Sequence, residues 1–252
     1  MNDPLPVLIC GYMGRMGQTL LAMAESEGAR VAAQKDMGDS LAEGLDSVKV
    51  AIDFSFHSAT AEVAEICADK GIALVIGTTG HTPEERERIL ACTKKIPIVW
   101  AGNYSIGVNL LFHLTETAAR VVGNRYQTEI VEIHHRHKKD APSGTALNLA
   151  DALQAAPGFK DAARCYGREG DTGARPNEEI GIHALRGGEV VGEHTVYFFG
   201  EHDRIELTHR AGDRRIFASG AFRAAHWVGS QKPGLYSMRD VLGLTQPGEG
   251  PA

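Results

Sequence analysis

An α/β fold is predicted, with a parallel-sheet domain first and a smaller α+β domain after it. Three observations carry this. Short apolar runs alternate with helical patterns from the N-terminus to Asn103. The alternation then stops. Three strand-like stretches, "IGIHALRGG", "EHTVYFFG" and "DRIELTHRAG", come close together near the end. Strands alternating with helices build parallel sheets with crossover helices, whereas crowded strands pair through turns.

Each element has its own signal. "PVLIC" is a short apolar run and reads as a buried strand. "RMGQTLLAMAESEG" comes next, with Met16, Leu20 and Met23 at helical spacing and Gly28 closing it. "RVAAQKD" and "VKVAIDFS" are the second and third strands. "SATAEVAEICADKG" is a helix with Ser58 as N-cap and Gly71 past its end. "IALVIGTTG" is a strand entering a Gly-Thr turn. "TPEERERILACTKK" is a helix with Thr82 as cap and Pro83 in first position. "IPIVWAGN" is the next strand. Beyond it, "SIGVNLLFHLTETAARVV" is a long amphipathic helix and "QTEIVEIHH" alternates like a strand. A helix runs from Ser143 to about Gln154. "GFKDAARCYGREGDTGARPNEEIG" reads as a loop. The three late strands are expected to be antiparallel neighbours, and "FASGAFRAAHWV" returns to a helical pattern.

The chain has 252 residues, enough for one or two domains with a real core. Hydrophobic content of 43% and charged content of 23% describe a soluble globular protein. A formal net charge of -6 argues against nucleic acid as a partner. The four cysteines are widely spaced, so neither a zinc site nor a disulfide framework is expected. The N-terminus lacks a signal-peptide pattern and no apolar stretch reaches membrane length, which points to the cytoplasm.

"CGYMGRMG" joins the first strand to the first helix. Gly11, Gly14 and Gly17 form G-x-x-G-x-x-G, a variant of the dinucleotide fingerprint. Such glycines let the backbone approach a pyrophosphate at a helix N-terminus. Asp36, at the end of the second strand, is placed for the adenosine ribose hydroxyls. Lys35 and Arg15 are cations that a 2′-phosphate would need, so NADH and NADPH both fit. "GTTG" and "AGNYSIG" also come after apolar strands, where ligands of open sheets bind.

The densest chemistry lies in "EIVEIHHRHKKDAPSGTALNLADAL". Metal binding by His134, His135 and His137 is disfavoured, because neighbours on a strand point to opposite faces and Lys138 would repel a cation. A merely solvated basic loop is disfavoured by the helix start just after it. Ser143 is a good N-cap there, and Gly144 and Thr145 open the helix. Basic cluster and helix end together suit a small, multiply anionic partner such as a dicarboxylate. Reduction of a carbon–nitrogen or conjugated double bond needs a proton as well as a hydride, and histidine and lysine can supply it. Mutual repulsion in the cluster is expected to lower both pKa values, and a bound dicarboxylate to raise them.

"EIHHRHKKDAPSGTA" resembles the signature of the bacterial 4-hydroxy-tetrahydrodipicolinate (dihydrodipicolinate) reductases of diaminopimelate and lysine biosynthesis. "GYMGRMG", "VAIDFS", "GTTG", "AGNYSIGVNL" and "GLYSMRDVLGL" extend the resemblance over nearly the whole chain. It implies a Rossmann-like dinucleotide domain at 1–104. It also implies a substrate and tetramerisation domain with an open mixed sheet at 105–215, and a segment at 216–252 that packs back on the first. His134 would be the general acid/base and Lys138 the proton donor. His135, Gly144 and Thr145 would hold the substrate carboxylates, with Ser143 capping their helix. Gly11, Tyr12, Met13, Gly14, Arg15, Met16, Asp36, Gly77, Thr78, Thr79, Ala101, Gly102, Asn103 and Tyr104 would line the cofactor. The family's usual Ala-Pro-Asn-Phe reads Ala101-Gly102-Asn103-Tyr104 here, which predicts a looser turn beside the nicotinamide. Two rival classes make contrary demands. A semialdehyde dehydrogenase needs an activated cysteine, and none has an evident partner. A nonenzymatic nucleotide sensor needs no proton donors.

Overall fold

The structure, a computed structural model, describes residues 3–244. They divide into two compact units, one of residues up to Ile106 and from Arg214 on, the other Gly107–Asp213.

The first unit is a six-stranded parallel sheet with helices on both faces. Its strands are β1 (Leu5–Cys10), β2 (Ala29–Lys35), β3 (Val50–Asp53), β4 (Ala73–Ile76), β5 (Pro97–Trp100) and, after the second unit, β11 (Gly234–Tyr236). They are ordered β11-β5-β4-β3-β1-β2. Successive strand residues face opposite ways, and both faces are buried. Val7 and Ile9 of β1 join one core with α1 (Arg15–Met23), α6 (Arg215–Val228) and α7 (Met238–Leu242). Leu8 and Cys10 join the other, with α2 (His57–Lys70) and α3 (Pro83–Cys92).

Thr82 caps α3 in a full capping box with Glu85, closing two of the helix's open backbone donors. Gly71 ends α2 at φ 67°, a conformation that costs other residues about 1 kcal/mol or more. Two boundaries differ from expectation. α2 begins at His57, so Ser58 lies inside its first turn and does not cap it; the His57 ring instead meets Glu85 at 2.9 Å. α1 ends at Met23, and a turn leads on to Gly28.

The second unit is a mixed five-stranded sheet ordered β10-β9-β6-β8-β7. Its strands are β6 (Gln127–His134), β7 (Ala163–Cys165), β8 (Glu179–Arg186), β9 (Gly192–Phe199) and β10 (Arg204–Ala211). One face is covered by α4 (Ile106–Val122) and α5 (Gly144–Gln154), with Ile130, Ile182, Val196 and Phe198 buried beneath them. The late strands pair differently from expectation. β9 and β10 are antiparallel neighbours, but β8 does not pair with β9. β6 lies between them, parallel to β8 and antiparallel to β9. The stretch read as loop contains β7, which adds an edge strand beside β8. β11 extends the first unit's sheet beside β5. Residues 245–252 of the predicted returning segment lie outside the described residues.

Candidate active site

In the first unit the glycine loop is shaped by close backbone approach. Gly11 sits at φ 76°, and a Cβ there would lie 2.5 Å from the Phe54 carbonyl oxygen. A Cβ on Gly17 would collide with the carbonyl oxygen of Gly11, so that position permits helix and loop to touch. Gly14 is the N-cap of α1, and no side chain closes that helix end. Its N-terminal amides therefore face outward in the arrangement that suits a phosphate.

Asp36 ties this loop to the end of β2. Its Oδ2 accepts the Met13 N–H at 2.8 Å and its Oδ1 the Met37 N–H at 2.8 Å. Asp39 accepts the Asp36 N–H in turn. A cleft of about 420 Å³ lies here, bounded by Gly11, Gly14, Lys35, Asp36, Phe54 and Phe56 among others. That volume is in the range of a small-molecule site. Tyr12 and Met16 pack against the core, while Met13 is 70% exposed and Arg15 is exposed outside the cleft wall.

The neighbouring strand ends are organised by a carboxylate that sequence reasoning passed over. Asp53, at the end of β3, is fully buried. It accepts hydrogen bonds from Ser55, from the Thr60 hydroxyl and, at 2.9 Å, from the Thr78 hydroxyl. The Thr78 side chain is thus spent on Asp53, while Thr79 is exposed. Gly77 allows the Phe54 ring against the backbone. Ala101 donates its N–H to Ile76, and Asn103 accepts from Ser105. The Tyr104 side chain is buried and donates to the carbonyls of Ile76 and Val99. Burial pushes that phenol well above its usual range. Tyr104 therefore anchors the segment and leaves only backbone for a ligand. Gly102 has no positive φ, and a Cβ there would meet only Thr79 at 3.8 Å. Gly102 leaves room for a side chain, so this backbone does not depend on glycine.

In the second unit β6 carries alternate residues inward. Thr128 and Ile130 enter the core; Glu132 and His134, further along the same face, are polar and buried. The Glu132 carboxylate is 0% exposed and fully engaged. His134 Nδ1 lies 2.6 Å from its Oε2, the Ser143 N–H donates to Oε1 at 3.0 Å, and Arg186 donates to both oxygens at 2.8 Å. Burial alone would raise this carboxyl, but the bonds from His134, Arg186 and Ser143 outweigh it and hold the pKa at about 2. His194, opposite Glu132 on β9, places Nε2 3.0 Å from the Ser143 hydroxyl. Burial and then the neighbouring His134 lower its pKa to about 4, so it is neutral at pH 7.

Ser143 caps α5 by accepting the Ala146 N–H. Gly144, the first helical residue, is exposed, and a Cβ there would meet nothing within 4 Å. Thr145 is half-buried beside it. The basic run is not a set of unpaired cations. Lys138 pairs with Asp140 at 2.9 Å, and Arg136 and His137 each approach Glu189 at 3.6 Å. The expectation of mutual repulsion overlooked these acids. His135 donates its N–H to Val190, which fastens the run to the turn before β9.

His134, Ser143 and, through Arg186 and the Asp140 carbonyl, the Lys138 loop are thus brought to one place. Sequence reasoning missed Glu132, Arg186, His194 and Asp53. Glu132 was the readable one, since it lies two residues before His134 on an alternating strand. Burial pushes the Cys67 thiol up to about 12, Cys10 well above its usual range and Cys92 above it too, which makes these three poor nucleophiles. Among the described residues no metal-binding cluster occurs, and no helix is long and apolar enough to cross a membrane.

Similarity to known proteins covers both units, and the C-terminal match runs on past Asp213 into elements that fold with the first unit. The family description "Dihydrodipicolinate reductase, N-terminus" matches residues 5–104, and its C-terminal counterpart matches residues 107–242. The chain is 49% identical to a 4-hydroxy-tetrahydrodipicolinate reductase from Akkermansia muciniphila, covering 96% of this chain and 99% of that protein. It is 48% identical to one from an Anaeromyxobacter species, covering 94% and 97%. Among solved structures it resembles a dipicolinate-bound dihydrodipicolinate reductase from Paenisporosarcina sp. TG-14, with TM-score 0.74 and 26% identity over 92% of this chain and 97% of that one. The chain belongs to the dihydrodipicolinate reductase family of oxidoreductases.

Proposed function

We propose that the chain reduces 4-hydroxy-tetrahydrodipicolinate to tetrahydrodipicolinate in lysine biosynthesis: the 4-hydroxyl leaves as water, and the conjugated double bond left behind takes up one hydride and one proton, the proton delivered through Lys138 and His134. NADH or NADPH supplies the hydride when bound. The first unit fits such a cofactor on its own evidence: a glycine cradle that a Cβ would fill, an uncapped helix end, and a cleft of suitable size. In this reading Gly11, Gly14 and the start of α1 take the pyrophosphate, and Lys35 and Asp36 meet the adenosine ribose. The segments Gly77–Thr79 and Ala101–Tyr104 border the nicotinamide through backbone atoms and Thr79. In this reading residues 1–104 with the returning segment 216–252 are the dinucleotide domain, and 105–215 the substrate domain.

The substrate is a small dicarboxylate. Gly144 and Thr145 offer backbone N–H groups at the start of α5, where the helix dipole favours an anion. His135 supplies a further donor from the preceding turn. Lys138, held by Asp140, donates the proton to the reduced substrate, and His134 passes protons at the same centre. The observation that carries the reading is the convergence at the end of β6, where a buried carboxylate holds both the His134 ring and the first turn of α5.

The open face of the second sheet, with Val131, Ile133 and Tyr197 on the side away from the helices, would assemble the chain into a homotetramer in the cytoplasm. Light scattering should give the mass of a tetramer, and Val131→Lys should reduce it. Nicotinamide oxidation measured with and without enzymatically generated dihydrodipicolinate tests the activity itself. Oxidation that does not depend on that precursor would refute it.

A further inference from the structure

We propose that Glu132 is a positioning residue for this reaction: it holds His134 in the Nδ1–H form, keeps Nε2 as the working nitrogen, and fixes that nitrogen relative to the helix end that takes the substrate. This rests on His134 being the residue that passes protons at the centre, and adds a positioning partner and a tautomer to it.

Hydrogen-bond bookkeeping sets the tautomer. Arg186 has only donors to offer, and its two terminal nitrogens contact both oxygens of Glu132. The Ser143 N–H is a donor as well. Glu132 is therefore an ionised carboxylate that can only accept, and the atom 2.6 Å from its Oε2, His134 Nδ1, must carry a proton. In the neutral ring that leaves Nε2 with a lone pair; in the imidazolium it leaves Nε2 as the proton to be given away.

Space is kept beside that nitrogen. A Cβ at Gly192 would lie 3.0 Å from His134 Nε2. Gly192 has no positive φ, so its backbone would accept another residue; the restriction comes from the ring. The charges around His134 come from every element packed there. They are Glu132 on its own strand, Arg186 on β8, His194 on β9 with its ring 5.2 Å away, and the Lys138–Asp140 pair on the following loop. His194 is neutral near pH 7, which leaves Glu132 as the anion in direct contact with the ring.

Glu132→Gln keeps the size of the side chain and removes the charge. Its amide N–H₂ would donate to Nδ1 and turn the ring to the Nε2–H form. The corresponding change in a Ser–His–Asp triad costs about 10⁴-fold through the wrong tautomer. The experiment is a pH profile of kcat and KM for wild type, His134→Gln, Glu132→Gln and Gly192→Ala, with ring ¹⁵N shifts of His134 read in the wild-type protein. The expected result has three parts. The limb that disappears in His134→Gln moves down by about one pH unit or more in Glu132→Gln, because an opposite charge is lost. Loss in kcat exceeds any rise in KM by about tenfold or more, both in Glu132→Gln and, through crowding of Nε2, in Gly192→Ala. The wild-type ring near neutral pH shows a protonated Nδ1. Should Glu132→Gln alone prove unstable, Glu132→Gln with Arg186→Met removes the stranded cation and should show the same limb shift. An Nε2–H ring in the wild type, or an unmoved limb in Glu132→Gln while His134→Gln is crippled, overturns the proposal and leaves the role of His134 standing. Near-wild-type turnover in His134→Gln would instead remove the reading beneath it.

Discussion

The two candidate binding regions are built from different materials. The glycine loop is made of backbone: its features are an open helix end, a positive-φ glycine and close contacts that only glycine allows. The centre at the end of β6 is made of side chains from two neighbouring strands, a helix cap and a loop, joined by one buried carboxylate. Backbone recognition needs local geometry and tolerates different side chains around it. A side-chain network needs register, because a slip of one residue on β6 would turn Glu132 and His134 away from Ser143. The first region should fail gradually when altered, and the second in a graded order set by which partner is lost.

The largest expected effect separates the two regions. Lys138→Ala should lower kcat by about 10²–10⁴-fold, as loss of a general acid does. Its nucleotide affinity should match wild type, since nothing in the glycine loop is touched. Stopped-flow turnover with a parallel fluorescence titration checks both. Unchanged kcat would take Lys138 out of the mechanism.

A second expectation concerns the stability of the side-chain network. The folded pKa of His194, about 4, lies below the ordinary 6.5. Between those values the unfolded chain binds a proton that the folded chain does not. Stability is therefore full above pH 6.5 and falls as the pH drops toward 4. The loss attributable to His194 is at most about 3 kcal/mol, from the size of that shift. Burial also lowers His209 and His81, which adds in the same direction. Glu129 and Glu132, held at about 2, contribute above pH 4.5 and lose their share only below it. Urea melts at pH 7 and pH 5 should differ in wild type and differ less in His194→Gln. Equal slopes would place the titrating group elsewhere.

Legibility in the sequence tracked the same contrast. The glycine loop, the Thr82 cap, the Ser143 cap and the alternation of β6 are local, and each carries its own residue signal. The neighbour of β8 was not legible: the segments after β7 looked like a simple meander, and only long-range register places β6 between β8 and β9. β7 was lost because three residues in a Gly-rich stretch carry no periodicity. Ser58 resembled a cap by composition, but the helix starts one residue before it. Arg186 and His194 carry no local mark at all, because their meaning comes from what lies across the sheet. Family resemblance located the centre, yet the acids that neutralise its basic run were visible in outline only after folding.

A smaller effect is expected in cofactor choice. In the proposed reading Asp36 favours NADH, while Lys35 in the cleft wall and Arg15 outside it are the cations that would offset the charge of a 2′-phosphate. Both cofactors should work within about a hundredfold in kcat/KM, roughly 2.7 kcal/mol. Lys35→Ala or Arg15→Ala should hurt NADPH more, and Asp36→Ala should hurt NADH more. Because Asp36 also holds the Met13 N–H, its removal should cost both cofactors a common share. Steady-state kinetics with each cofactor decides; an Asp36→Ala variant indifferent to NADH would assign the ribose to another residue.

The division of labour itself is tested by one pair of titrations. Gly14→Val adds a side chain to the wall of the cleft, where a Cβ has only the Gly11 carbonyl oxygen nearby at 3.3 Å. Gly144→Val adds one to the first turn of α5, where a Cβ meets no atom within 4 Å. Neither needs the fold to give way by much, so calorimetry with NADH and with dipicolinate reads ligand access. Gly14→Val should lose about tenfold or more in NADH affinity and keep its affinity for dipicolinate, and Gly144→Val should do the reverse. If Gly144→Val instead lost NADH and kept dipicolinate, the dicarboxylate would not bind at the start of α5, and the account would be wrong at its centre.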